Sequence, residues 1–81
     1  MNGQLAPPED PKTQLQEWAQ QRGLPLPVYT VIGKSGSDHA PEFNIELTIA
    51  GVGTVSARAS NKRHAEKEAA AQMLAKIAGK T

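Results

Sequence analysis

Lys62 and Arg63 directly follow Ser60 and Asn61 and precede an alanine-rich run, Ala65–Glu66–Lys67–Glu68–Ala69–Ala70–Ala71. Ser60 and Asn61 are both helix-capping types, because a side-chain oxygen accepts a hydrogen bond from a first-turn N–H that lacks a helical partner. The order cap, cation, cation, alanine run predicts that both cations sit in the first turn of a helix. The positive end of the helix dipole disfavours each of them there by about 0.3–1 kcal/mol. A polyanion at that end reverses the sign, since phosphate is drawn by the free N–H groups, the dipole and the two side chains together. A solvated helix start that tolerates two basic residues explains the same stretch equally well. The rest of the chain has to discriminate.

Other residues able to do chemistry are few. The chain has two histidines, His39 and His64, and no cysteine. Thiolate zinc sites, disulfides and a cysteine nucleophile are therefore excluded. No glycine-rich loop of the phosphate-gripping kind is present. No residue is assigned a catalytic or metal-binding role, and no cofactor is expected in this chain. Nine Lys/Arg against eight Asp/Glu leave a net charge of +1. Nucleic-acid binders often carry a larger excess, so the distribution of charge matters more than its total. Lys34 stands alone in the centre of the chain and Arg58 at the close of that region, while the other cations lie near the two ends. No apolar run approaches the roughly 20 residues that span a bilayer. The N-terminus lacks the basic-then-apolar layout of a secretory signal. A cytoplasmic protein is the expectation.

Eighty-one residues make one small domain. Residues 1–9 hold Gly3, Pro7 and Pro8 without periodicity and read as a flexible tail or linker. Asp10–Pro11 then opens a helix, Asp10 as cap and Pro11 at the first position, where its missing N–H costs nothing. That helix runs to about Arg22 and closes at Gly23. Leu15, Trp18 and Ala19 share one side, and Thr13, Gln14, Glu17, Gln20 and Gln21 the other. Pro25 and Pro27 forbid helix between Leu24 and Pro27. Val28–Gly33 reads as a strand and Lys34–Pro41 as a loop. Glu42–Ala50 is the clearest strand, with Phe43, Ile45, Leu47 and Ile49 alternating against polar residues. After Gly51–Val52–Gly53, a third strand covers Thr54–Ala59, turning Val55, Ala57 and Ala59 inward. A second helix spans about Lys62 to Ala78, with Ala65, Ala69, Ala70, Met73, Leu74 and Ile77 on its apolar face and Gly79 as its stop. The order is α-β-β-β-α, an α+β fold. Short links make the sheet antiparallel, and one apolar sheet face must carry both helices. The opposite sheet face is expected to be polar.

This pattern resembles a double-stranded-RNA-binding domain over Asp10 to Ala78. The resemblance rests on the opening helix with Glu17, Pro27 before Tyr29, the loop Gly36–Ser37–Asp38–His39, Phe43 four residues after that histidine, and Ser60–Asn61–Lys62–Arg63–His64–Ala65–Glu66 with the alanines behind it. Asp10–Pro11–Lys12–Thr13–Gln14–Leu15–Gln16–Glu17 and Leu24–Pro25–Leu26–Pro27–Val28–Tyr29 look more narrowly like the C-terminal domain of bacterial ribonuclease III. The resemblance implies a domain covering 10–79 that binds double-stranded RNA. A-form RNA has a shallow minor groove lined by 2′-hydroxyls and a major groove too narrow for base readout, so a binder spans successive minor grooves and the phosphates between them.

By that resemblance, Thr13, Gln14, Glu17 and Gln21 enter one minor groove. A carboxylate is repelled by phosphate but accepts from a 2′-OH, so Glu17 favours RNA over DNA. His39 enters the next groove. Lys62 and Arg63, with Asn61 as cap and Lys67 as a partial substitute for a missing third lysine, take the phosphates between. Glu66 stands where many relatives carry that lysine and is expected to break the basic run. His64 reads as a solvated helix residue. Ser37 replaces a proline common in the family, which questions the rigidity of the loop. The parent implied is a homodimeric ribonuclease III whose magnesium-dependent nuclease domain precedes this one, the present domain itself being monomeric, with no membrane partner. A protein-interaction or dimerisation module of the same fold is the alternative.

Overall fold

The computed structural model describes residues 10–37 and 39–79. The expected tail, residues 1–9, and Asp38 of the central loop lie outside the described residues. Five elements follow in order: α1 (Pro11–Gln21), β1 (Val28–Gly36), β2 (Pro41–Ile49), β3 (Gly53–Ala59) and α2 (Lys62–Ala78). The strands form one antiparallel sheet in the order β1-β2-β3. This is the expected α-β-β-β-α arrangement.

Local chemistry sets the ends of α1. Asp10 Oδ1 accepts from the Lys12 N–H at 3.0 Å, and Pro11 stands at the helix's start. Gly23 closes it with φ +67°, a left-handed conformation that costs glycine little, while the Leu24 N–H donates to the Ala19 carbonyl.

The alternation in β2 buries Ile45, Leu47 and Ile49, each side chain contributing about 1.5–3 kcal/mol through removal from water. Small residues on α2 (Ala65, Ala69, Ala70), together with Met73, let that helix lie close over β2 and β3. Leu15 and Ala19 of α1 complete the core. Both helices occupy the apolar side of the sheet; α2 makes most of the contact with the strands, and α1 packs on α2.

Three details differ from the sequence expectation. β1 continues beyond Gly33 through Lys34, Ser35 and Gly36, which pair with Phe43, Glu42 and Pro41. Their polar, flexible composition suggests a loop, but the partner strand supplies backbone hydrogen bonds that composition does not reveal. The turn is thereby reduced to Ser37–Ala40. Second, Val31 pairs with Ile45 and Gly33 with Asn44, which leaves Ile32 as an extra residue in a β-bulge. Third, the outer sheet face is not uniformly polar. Thr30, Glu46, Thr48, Thr54 and Ser56 line it, with Thr48 and Thr54 hydroxyls 3.0 Å apart, but Val28 pairs across from Thr48 and is 59% exposed. Ile32 at the bulge is 53% exposed.

Candidate nucleic-acid interface

The start of α2 is built as a helix N-terminus with its positive end uncompensated. Asn61, in extended conformation, accepts from the His64 N–H at 2.8 Å through Oδ1. Of the two capping candidates, Asn61 therefore does the work. No acidic residue occupies the first turn. Lys62, Arg63 and His64 are exposed there. Among the described residues, neither Lys62, Arg63 nor Lys67 makes an ion pair.

The two helices run in the same sense. Lys12 meets Glu66 near their starts, and Trp18 shares a cavity with Lys76 and Ile77 near their ends. Both positive dipole ends therefore face the same edge of the molecule. Between the helix starts lies a cleft of about 480 Å³, lined by Asp10, Lys12, Thr13, Gln16, Arg63 and Lys67. It brings a hydroxyl and an amide of α1 together with two cations of α2. Arg63 and Lys67 are four residues apart and so share a helix face. Lys67 is thus a full member of the basic cluster and not the displaced substitute its neighbour's position suggests.

Glu66 also behaves differently from the expectation. Its Oε1 accepts from Lys12 Nζ at 2.5 Å, so the carboxylate is neutralised by α1 and does not simply interrupt the basic run. The same ammonium lies 5.1 Å from the centroid of the Tyr29 ring. Tyr29 is pushed up to a pKa of about 12, first by burial and then by the carboxylates of Glu66 and Asp10. Its hydroxyl is buried without a hydrogen-bond partner among the described residues.

The remaining predicted residues divide. Glu17 is exposed on α1, one turn beyond Thr13. Gln14 and Gln21 are exposed as well, on the adjoining flank, and none of Gln14, Glu17 and Gln21 lines the cleft. His39 is exposed in the β1–β2 turn. That turn is held by Ser37, whose carbonyl and Oγ both accept from the Ala40 N–H, at 3.1 and 3.2 Å. Serine thus supplies an ordering contact where proline would restrict the backbone. Gly36 has φ +89°, and a Cβ there would stand 2.3 Å from the Ala40 carbonyl oxygen. Only glycine fits this corner. Lys34, two residues earlier, places its ammonium 5.5 Å from the Phe43 ring centroid.

Register places these parts at one end. The last residue of β3, Ala59, pairs with Phe43, and Asn61 follows two residues later. The β1–β2 hairpin continues past that point through the pairs Ser35–Glu42 and Gly36–Pro41. Two further pairs carry its tip about 7 Å beyond the end of β3. The helix starts and the histidine turn therefore lie apart from each other at one end of the sheet. Three contributors to the cleft are not among the residues expected at the site: Lys12, Gln16 and Asp10, the last expected only as the helix cap. Gln16 is legible in principle, since it lies three residues after Thr13 and so on a neighbouring line of the helix.

Among the described residues, no group of three or more His, Cys, Asp or Glu side chains is arranged to hold a metal ion. None of their helices is long and apolar enough to cross a membrane.

The family model described as the double-stranded RNA binding motif matches residues 11–77. The chain belongs to that family. It is 53% identical over 75 residues to the ribonuclease 3 of Wolbachia pipientis wMel, a match covering 93% of this chain and 32% of the relative. Against the ribonuclease 3 of Caulobacter vibrioides (strain NA1000 / CB15N) the identity is 49% over 67 residues, covering 83% and 29%. The domain thus spans about a third of the length of these relatives. Among solved structures, Arabidopsis HYL1 superposes with a TM-score of 0.70 at 32% identity, covering 86% of this chain and 99% of that one. The second dsRBD of DRB4 gives 0.64 at 37% identity, covering 83% and 93%.

Proposed function

We propose that this domain binds double-stranded RNA by shape, as the RNA-holding module of a ribonuclease III-type endoribonuclease. The observation that carries the reading is the cleft between two like-oriented helix starts, where Thr13 and Gln16 face Arg63 and Lys67. Beside Asp10 and Lys12, the α1 wall offers in Thr13 and Gln16 neutral donors and acceptors suited to 2′-hydroxyls, and the α2 wall offers charge suited to phosphate. On this reading Thr13, Gln16 and Glu17 lie in a minor groove. Glu17 accepts from a 2′-OH, an interaction that DNA lacks. Arg63, Lys67 and Lys62, together with the free N–H groups of α2, hold phosphates across the intervening major groove. The hairpin delivers His39 to the next minor groove. Asn61 acts through the cap, keeping the helix start formed. Gln14 and Gln21 extend the minor-groove face at its margin.

The parent protein's hydrolysis, with its magnesium ions and its dimer contacts, belongs on this reading to the part of a ribonuclease III chain outside the present sequence. The setting is the cytoplasm. This domain acts as a monomeric binding unit that holds duplex RNA for the nuclease.

The test is a titration of duplex RNA, duplex DNA and single-stranded RNA of equal length, each at two salt concentrations. Duplex RNA should bind best. Equal binding of the two duplexes would sink the minor-groove reading. Loss of all binding would favour the interaction-module alternative, for which the exposed Val28, Val31 and Ile32 of β1 offer an apolar surface.

A further inference from the structure

The proposed binding mode uses α1 and α2 for different tasks, and it succeeds only if the distance between them is fixed. At the point where the two starts approach, three elements meet. Lys12 of α1 donates to Glu66 of α2 at 2.5 Å, and the same ammonium lies over the ring of Tyr29 from β1. The side chains of Lys12 and Glu66 are 36% and 22% exposed. A lysine that served phosphate would present its charge to solvent. This one directs its charge to a half-buried carboxylate of the neighbouring helix, while Arg63 and Lys67 on the same cleft remain without an ion pair among the described residues.

We infer that Lys12 and Glu66 form a positioning clamp that sets α1 against α2, so that the 2′-hydroxyl-reading face and the phosphate-holding cations meet one RNA duplex in register. The inference rests on the function proposed above. Neither residue is a phosphate contact. Glu66 is a required acid beside a polyanion site.

The clamp gives a prediction whose sign separates it from simple electrostatics. Removing an acid near phosphate should tighten RNA binding if charge alone mattered. Under the clamp, Glu66→Gln weakens duplex RNA binding by roughly two- to fivefold, the range expected of a part-exposed ion pair. Lys12→Met weakens it likewise but leaves the salt slope unchanged, whereas loss of a phosphate contact lowers that slope by about 1. The charge-swapped variant, Lys12→Glu with Glu66→Lys, restores affinity because net charge and pairing are kept. Affinities are measured by fluorescence anisotropy on variants whose thermal melts show them folded at the assay temperature. If a single variant does not fold, the swap alone decides: wild-type affinity and slope support the clamp, and a loss of about fivefold or more overturns it. Glu66→Gln that binds as tightly as wild type, or tighter, overturns it too, as does a reduced slope in Lys12→Met. A wild-type domain that fails to bind duplex RNA instead refutes the function itself.

Discussion

Replacing Lys62 and Arg63 together by alanine should weaken RNA binding while making the domain slightly more stable. Both side chains are exposed in the first turn of α2, with no acidic residue beside them in that turn. If each holds one phosphate, their loss removes about 0.9 of the logarithmic salt slope apiece, or about 1.8 in all. Between about 50 and 200 mM salt, the fall in affinity should then shrink by roughly 12-fold relative to the wild-type fall. Stability moves the other way. Taking two cations from the positive end of a helix, and inserting the best helix former, should add at least about 0.6 kcal/mol, which raises the Tm by roughly 2–5 °C or more in a domain of this size. Anisotropy titrations against a labelled duplex of about 20 base pairs, long enough for the expected footprint, would give the slope. A thermal melt would give the stability. An unchanged slope would place the phosphate contacts elsewhere. A clear drop in Tm would show that the two cations stabilise the fold, and would remove the argument that they are present for a polyanion.

Further perturbations address separate parts of the molecule. Glu17→Ala should narrow the preference for RNA over DNA while leaving the salt slope nearly unchanged; parallel titrations of the two duplexes would check this, and a changed slope with an unchanged preference would remove the 2′-OH role. Gly36→Ala forces a side chain into positive φ and against the Ala40 carbonyl; a loss of about 2 kcal/mol or more is expected from urea unfolding, with weaker RNA binding through the displaced His39 turn. Tyr29 has its folded pKa raised to about 12 against about 10 unfolded, so its contribution is intact below pH 10 and is lost as pH rises through 12. Denaturation across that window should show a decline that is shallower in Tyr29→Phe.

Much of the fold is legible because the chain's periodicities are local. Phe43, Ile45, Leu47 and Ile49 state a strand by alternation, and Asp10–Pro11 states a helix start by capping chemistry. The extra length of β1 is not legible, since Lys34, Ser35 and Gly36 are strand residues only through their pairing with β2. The candidate site divides along the same line. Asn61, Lys62 and Arg63 can be placed from their order in the chain. Lys67 is undervalued by comparison with Glu66 alone; its relation to Arg63, four residues earlier, is the better guide. The pairing of Lys12 with Glu66 crosses 54 positions of sequence. No periodicity in either helix encodes it, because it depends on how α1 comes to rest on α2.

The bulge at Ile32 has a mechanical consequence. From Gly33 to the histidine turn, the hairpin is an arm of about five residues, or roughly 16 Å. The bulge is its pivot. A change of only about 10° in the bend there would swing the tip sideways by about 3 Å, the length of a hydrogen bond. Residues at the pivot need never touch RNA to govern binding. Deleting Ile32 would even out the ladder and re-aim His39, and so, on the proposed binding mode, retune the span between the two grooves gripped at once.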